Sequence, residues 1–117
     1  MNGIINKLFI LLLILASSKL YSGVQWADKV ISYSSQVGSK EYSANQALGE
    51  PNTFQNIKTP TAWMPKISEK NKFEYIQLGF DSKIKTRYIY INMNLGEKAL
   101  KVVNIIDNKS NENSVFN

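Results

Sequence analysis

The stretch EYIQLGFDSKIKTRYIYINMN, residues 74–94, decides the fold class. In its first half, Ile76, Leu78 and Phe80 occupy every second position, and a polar turn at residues 81–83 separates them from a second alternating run. Apolar residues with a period of two indicate β-strands that bury one face. We therefore predict strands over residues 74–80 and 84–94.

Three shorter segments extend this pattern to both sides. Residues 30–34 (VISYS) are β-branched and aromatic, residues 100–107 are apolar on both faces, and residues 114–116 begin a further strand. Strands of this length with no amphipathic helix between them are typical of antiparallel sandwiches. The predicted fold class is all-β, an antiparallel β-sandwich.

A long irregular segment connects the first two strands. Residues 39–65 contain all three prolines of the chain, which predicts a loop rather than a helix or strand. One helical turn is expected at residues 43–48, with Ser43 as its cap and Gly49 at its end. Loops of this length in small domains are often functional.

The chain stops at Asn117, where the last strand would be expected to continue. Five strands leave the edges of a sandwich unpaired, and unpaired edges promote aggregation. We therefore expect residues 19–117 to form a partial β-sandwich module of marginal stability. The alternative is a small complete domain with a frayed end.

The composition excludes several kinds of chemistry. The 117 residues include no cysteine and no histidine, so there is no disulfide, no thiolate or imidazole metal ligand, and no Ser–His–Asp catalysis. The nine acidic residues are scattered and none is paired at a catalytic spacing. We predict that the protein is not an enzyme, and we assign no catalytic residue.

The N-terminus predicts export. Lys7 precedes an unbroken apolar run at residues 8–16, and Ala16, Ser17 and Ser18 then supply small residues. This order is that of a secretory signal peptide, here residues 1–18, with Ser22 as a second possible cleavage point. The alternative is a membrane anchor, but a span needs about 20 apolar residues. We expect no transmembrane span in the mature chain.

Five segments together resemble a known family. They are VQWADKV (24–30), YSSQ (33–36), YSANQALGEPN (42–52), AWMP (62–65) and EYIQLGF (74–80). Their order resembles the N-terminal region of large OmpA-family outer-membrane proteins of the Bacteroidetes. The resemblance covers nearly the whole mature chain.

That resemblance carries expectations about fold, location and cofactor. It implies a discoidin-like, galactose-binding-like jelly roll located in the periplasm, in the outer membrane or at the cell surface. Related discoidin-like loops often hold a structural calcium ion, although Leu48 stands here where such loops carry an aspartate. Glu50 and Asn52 are then the candidate calcium ligands, together with backbone carbonyls.

Four residues are candidates for ligand binding: Trp63, Tyr88, Tyr90 and Asn52. An exposed Trp63 could stack on a sugar ring, whereas a buried Trp63 would pack in the core. Tyr88 and Tyr90 are two positions apart and could form an aromatic platform, or they could belong to an ordinary sheet face. The sequence leaves both alternatives open.

Basic residues at every second position, Lys83, Lys85 and Arg87, form a further candidate surface. They could keep the protein soluble or bind an anionic polysaccharide, and export argues against nucleic acid. We predict a non-catalytic, exported binding or presentation module of the bacterial cell envelope, with a polysaccharide or another envelope protein as partner. The alternative is a structural or protein-interaction fragment with no small-molecule ligand.

Overall fold

The computed structural model describes residues 23–68, 70 and 73–117. The regular structure of these residues consists of four β-strands and two short 3₁₀ turns. The strands form two antiparallel sheets of two strands each. The protein is therefore all-β, as predicted, and its sheets are compatible with an incomplete β-sandwich. The signal peptide predicted at residues 1–18 lies outside the described residues.

The first sheet pairs the two strands that flank the long loop. Strand β1 (Lys29–Tyr33) runs antiparallel to β2 (Ile76–Gly79), with Val30 opposite Leu78 and a bulge between residues 30 and 32. The bulge shifts the register by one residue, so the pair that follows Val30 and Leu78 is Ser32 and Gln77. Strand β1 begins and ends one residue before its predicted bounds, 30–34. Strand β2 lies inside its predicted range, 74–80.

The second sheet is a β-hairpin. Strands β3 (Val103–Ile106) and β4 (Glu112–Phe116) pair antiparallel. The Asp107 carboxylate organises the connecting turn, because its Oδ1 accepts hydrogen bonds from the backbone N–H of Lys109 at 2.8 Å and of Asn111 at 2.9 Å. These local bonds replace strand pairing where the chain reverses.

The strand predicted at residues 84–94 is wrong for the described part of the chain, where this segment joins neither sheet. Alternation favours a strand, but a strand also needs a partner backbone in register, and no described segment supplies one. The alternation survives in the exposure of the side chains. Tyr88 and Tyr90 are 75% and 66% exposed, against 44% and 49% for Ile89 and Ile91.

The helical turn predicted in the long loop is confirmed, although its capping differs. A 3₁₀ turn spans Ala44–Ala47, and Gly49 follows with a φ of +78°. The Ser43 hydroxyl donates to the carbonyl of Lys40 instead of capping the turn. The side-chain oxygen of Gln36 accepts from the Ala44 N–H at 2.9 Å, so the cap comes from a residue eight positions earlier.

The buried residues of the described structure lie where this turn meets the start of β1. Ala27, Ser43 and Ala44 are buried, and the Gly49 N–H donates to the Ala27 carbonyl at 2.9 Å. No large side chain of the described residues is fully buried. Within the same residues, no helix has both the length and the apolar character needed to cross a bilayer.

Candidate functional site

Trp63 connects the long loop to the end of β1. Its indole Nε1–H donates to the Ser35 carbonyl at 3.0 Å, and the residue is half-buried. A tryptophan that is partly covered and hydrogen-bonded to the backbone fixes the loop in place. A role of Trp63 in stacking on a sugar stays a prediction.

A cluster of hydroxyls around Glu74 lies next to Trp63. Ser34 and Ser35 both donate to Oε2 of Glu74, the latter at 2.7 Å. The two hydroxyl oxygens also accept backbone N–H groups, from Tyr75 and from Lys66 respectively, each at 2.9 Å. Since every bond joins different segments, the cluster holds β1, β2 and the loop together. Sequence reasoning treated Glu74 as one of the scattered acids and missed this arrangement.

Tyr42 anchors the middle of the loop. Its backbone has a φ of +56°, which is costly for a bulky residue, but both of its backbone groups are bonded. Its N–H donates to the Pro60 carbonyl at 2.9 Å, and its carbonyl accepts from the Met64 N–H at 3.1 Å. Lys58 Nζ lies 5.4 Å from the centre of the Tyr42 ring, within reach of a cation–π interaction.

The candidate calcium ligands follow this loop turn. Glu50 and Asn52 are both exposed. Among the described residues there is no group of three or more carboxylate, thiol or imidazole side chains that could hold a metal ion. The side chains near this turn therefore supply few of the oxygens that Ca²⁺ requires, and calcium binding stays a prediction.

A hydrophobic groove of about 540 Å³ lies between residues 86–91 and the β3–β4 hairpin. Seven apolar residues line it: Ile89, Ile91, Leu100, Val103, Ile105, Val115 and Phe116. Tyr88 and Arg87 also line it, and Tyr90 does not. Of the four predicted ligand-binding residues, Tyr88 therefore lines the groove. Trp63 and Asn52 are not among its lining residues.

A polar pocket of about 440 Å³ shares Ile91 and Leu100 with the groove. Its polar lining residues are Gln55, Asn56, Asn92 and Glu97. Two hydrogen bonds connect the loop to this region, from the Asn56 N–H to the Asn94 carbonyl and from Asn94 Nδ2 to the Ile57 carbonyl, each at 2.7 Å. Because its side chains come from distant positions, no local motif predicted this pocket.

The C-terminal part of the chain, which forms the hydrophobic groove, has a net positive charge. Residues 83–117 carry six basic and three acidic residues, whereas residues 23–82 carry six of each. Lys83, Lys85 and Arg87 are all exposed and precede the apolar part of the same segment. The groove is therefore bordered by positive charge.

Comparison with protein families places the chain in a family other than the OmpA family. Residues 18–117 match the family model described as pappalysin-1, SD scarf domain, C-terminal. No curated protein and no solved structure matches the chain. The assignment to OmpA-family outer-membrane proteins is wrong, and the discoidin-like, galactose-binding-like and outer-membrane expectations are withdrawn with it.

All five segments that suggested the OmpA family lie within residues 18–117, the part of the chain that the pappalysin model matches. The pappalysin scarf domain is part of an extracellular protein, which agrees with the predicted export. The chain belongs to the pappalysin-1 SD scarf domain, C-terminal, family.

Proposed function

We propose that the chain is a non-catalytic, exported module that binds another protein at the cell surface through the hydrophobic groove. The observation that carries this proposal is the exposure of apolar side chains around the groove. Tyr88 is 75% exposed, Val115 50% and Phe116 51%. Exposed apolar surface of this kind, bordered by polar residues, marks interaction sites.

The distribution of polar contacts supports a binding role over catalysis. The hydroxyls of Ser34 and Ser35 and the carboxylate of Glu74 are engaged in holding the loop to the first sheet. The chain has no histidine or cysteine to activate a nucleophile. The groove itself is lined by side chains that offer apolar area, with Arg87 as its charged residue.

Site-specific photocrosslinking in cells that produce and export the protein tests this function. Tyr88→p-benzoylphenylalanine places the reactive group in the groove, and Glu41→p-benzoylphenylalanine places it at an exposed residue outside it. We expect a discrete crosslinked protein with the first variant alone. Equal crosslinking at both positions, or none at position 88, would contradict the proposal.

Glycan binding is a second candidate, supported by the polar pocket. The amides of Gln55, Asn56 and Asn92 line this pocket and can hydrogen-bond sugar hydroxyls. Titration calorimetry with anionic and neutral polysaccharides tests this candidate. Heat that is lost in Asn92→Ala supports it, and no heat from folded protein with any sugar rules it out.

A further inference from the structure

The backbone of residues 84–91 is without partners in the described structure. None of these residues makes a backbone or side-chain hydrogen bond with any described residue. Backbone N–H and C=O groups need partners whenever they leave water. An occupant that buries the apolar side chains of this segment must therefore also satisfy its backbone.

This requirement selects the kind of occupant. A helix satisfies its own backbone internally, so a docked helix would cover these groups without bonding to them. An extended peptide offers N–H and C=O groups along its edge and side chains to alternate faces. A strand therefore fits both the unpartnered backbone and the hydrophobic groove.

The charge of the segment selects the sequence of that strand. Lys83, Lys85 and Arg87 precede Ile89 and Ile91, so a paired strand meets positive charge at one end and apolar side chains at the other. Opposite charges across paired strands are favourable, and like charges are unfavourable. A second copy of this chain carries no acidic residue in this segment, so its parallel pairing places like charges side by side and its antiparallel pairing supplies no opposite charge to Lys83, Lys85 and Arg87.

We propose that residues 84–91 bind an extended segment of a partner protein that carries acidic residues at the end facing Lys83, Lys85 and Arg87 and alternating β-branched residues along the rest. The segment adds as a strand to residues 84–91, and its apolar side chains cover the hydrophobic groove. The inference rests on the proposed protein-binding function and specifies its partner and binding mode.

Peptide titration with the full chain tests the charge requirement. The probe is the fluorescently labelled peptide DEVTVTVED, and its matched control is KKVTVTVKK. We expect saturable binding of the acidic peptide alone, measured by fluorescence anisotropy. The variant Lys83→Glu/Lys85→Glu/Arg87→Glu should weaken that binding about tenfold or more and gain binding of the basic peptide. All three side chains are exposed, so we expect these substitutions to leave the fold intact, and an unchanged circular dichroism spectrum checks this.

A second control tests strand pairing itself. Methylation of alternate backbone nitrogens of the acidic peptide removes the N–H donors of one edge and leaves every side chain in place. We expect binding to be lost when the methylated edge is the one that pairs. Two such peptides are needed, one methylated along each edge. If both bind as tightly as the unmethylated peptide, strand addition is overturned.

The remaining outcomes separate the two proposals. Absence of peptide binding, together with a discrete crosslink from position 88, would overturn the strand inference and leave the protein-binding function intact. Absence of both peptide binding and the crosslink would overturn the strand inference and the protein-binding function together. Self-association in sedimentation experiments that is abolished by Ile89→Asp would identify a second copy as the occupant and overturn the acidic-strand proposal.

Discussion

At the scale of single residues, Asp107 shows how one carboxylate organises a turn. Hydrogen bonds from the side chain of Asn111, and from the backbone N–H groups of Asn111 and Lys109, hold the pKa of Asp107 below its ordinary value of 3.8. Each bond favours the ionised form. The turn between β3 and β4 therefore depends on that charge.

The depressed pKa sets the direction of the pH effect. A group with a lower pKa in the folded state stabilises it above the unfolded pKa, and this contribution is lost as the pH falls through the folded pKa. We expect the backbone amide signals of Lys109 and Asn111 to shift in NMR spectra with a midpoint below pH 3.8. Asp107→Asn is the control, because it keeps an acceptor oxygen and cannot ionise. A midpoint above 3.8 would contradict this assignment.

Gly38 tests how closely the loop backbone packs. A Cβ at this position would lie 2.3 Å from the carbonyl oxygen of Glu41, so one of the two must move. We expect Gly38→Ala to lower the free energy of unfolding by about 1–3 kcal/mol, as overpacking does. Gly23→Ala is the matched control, because its Cβ would meet nothing within 4 Å. Urea unfolding that gives the same midpoint for both variants would refute the close approach.

At the scale of elements, the turn at residues 44–47 depends on a residue outside it. The N–H of Ala44, a residue that is 2% exposed, donates to the side chain of Gln36. Gln36→Ala leaves this donor without a partner, which typically costs about 1–3 kcal/mol. Gln46→Ala is the control, since its Nε2 bonds the Lys40 carbonyl in an exposed position. If both variants unfold at the same urea concentration, Gln36 is not the cap.

The strands show what alternation can and cannot predict. β1, β2 and β3 formed where the pattern placed them because each found a partner backbone, while residues 84–94 have an equally clear pattern and no partner among the described residues. The cluster of hydroxyls around Glu74 joins residues about 40 positions apart, so no local spacing in the sequence could have indicated it.

At the scale of the whole molecule, the described residues bury little apolar area. Ala27 and Ala44 are their buried hydrophobic residues, and twenty large hydrophobic side chains are exposed. Covering a few hundred Å² of apolar surface is worth several kcal/mol at about 25 cal/mol per Å². That amount is a large share of a typical net stability of about 5–15 kcal/mol.

We therefore expect the chain alone to unfold below about 45 °C, at or under the usual range for small domains. Bound peptide should raise the midpoint, because a ligand of the folded state stabilises it by mass action. Differential scanning calorimetry measures both effects. A cooperative, monomeric transition above about 55 °C without peptide would show that the exposed apolar surface costs little stability.

The sequence by itself determined the all-β class, the turn at residues 44–47 and the basic character of the segment from Lys83 to Arg87. These properties depend on local pattern and composition, which any short window of the chain contains. Only the tertiary structure decided which strands pair, that Gln36 caps the turn, and that residues 84–91 lie beside the β3–β4 hairpin with an unpartnered backbone. Pairing and packing depend on distant residues meeting in register, and alternation is the same whether or not a partner is present.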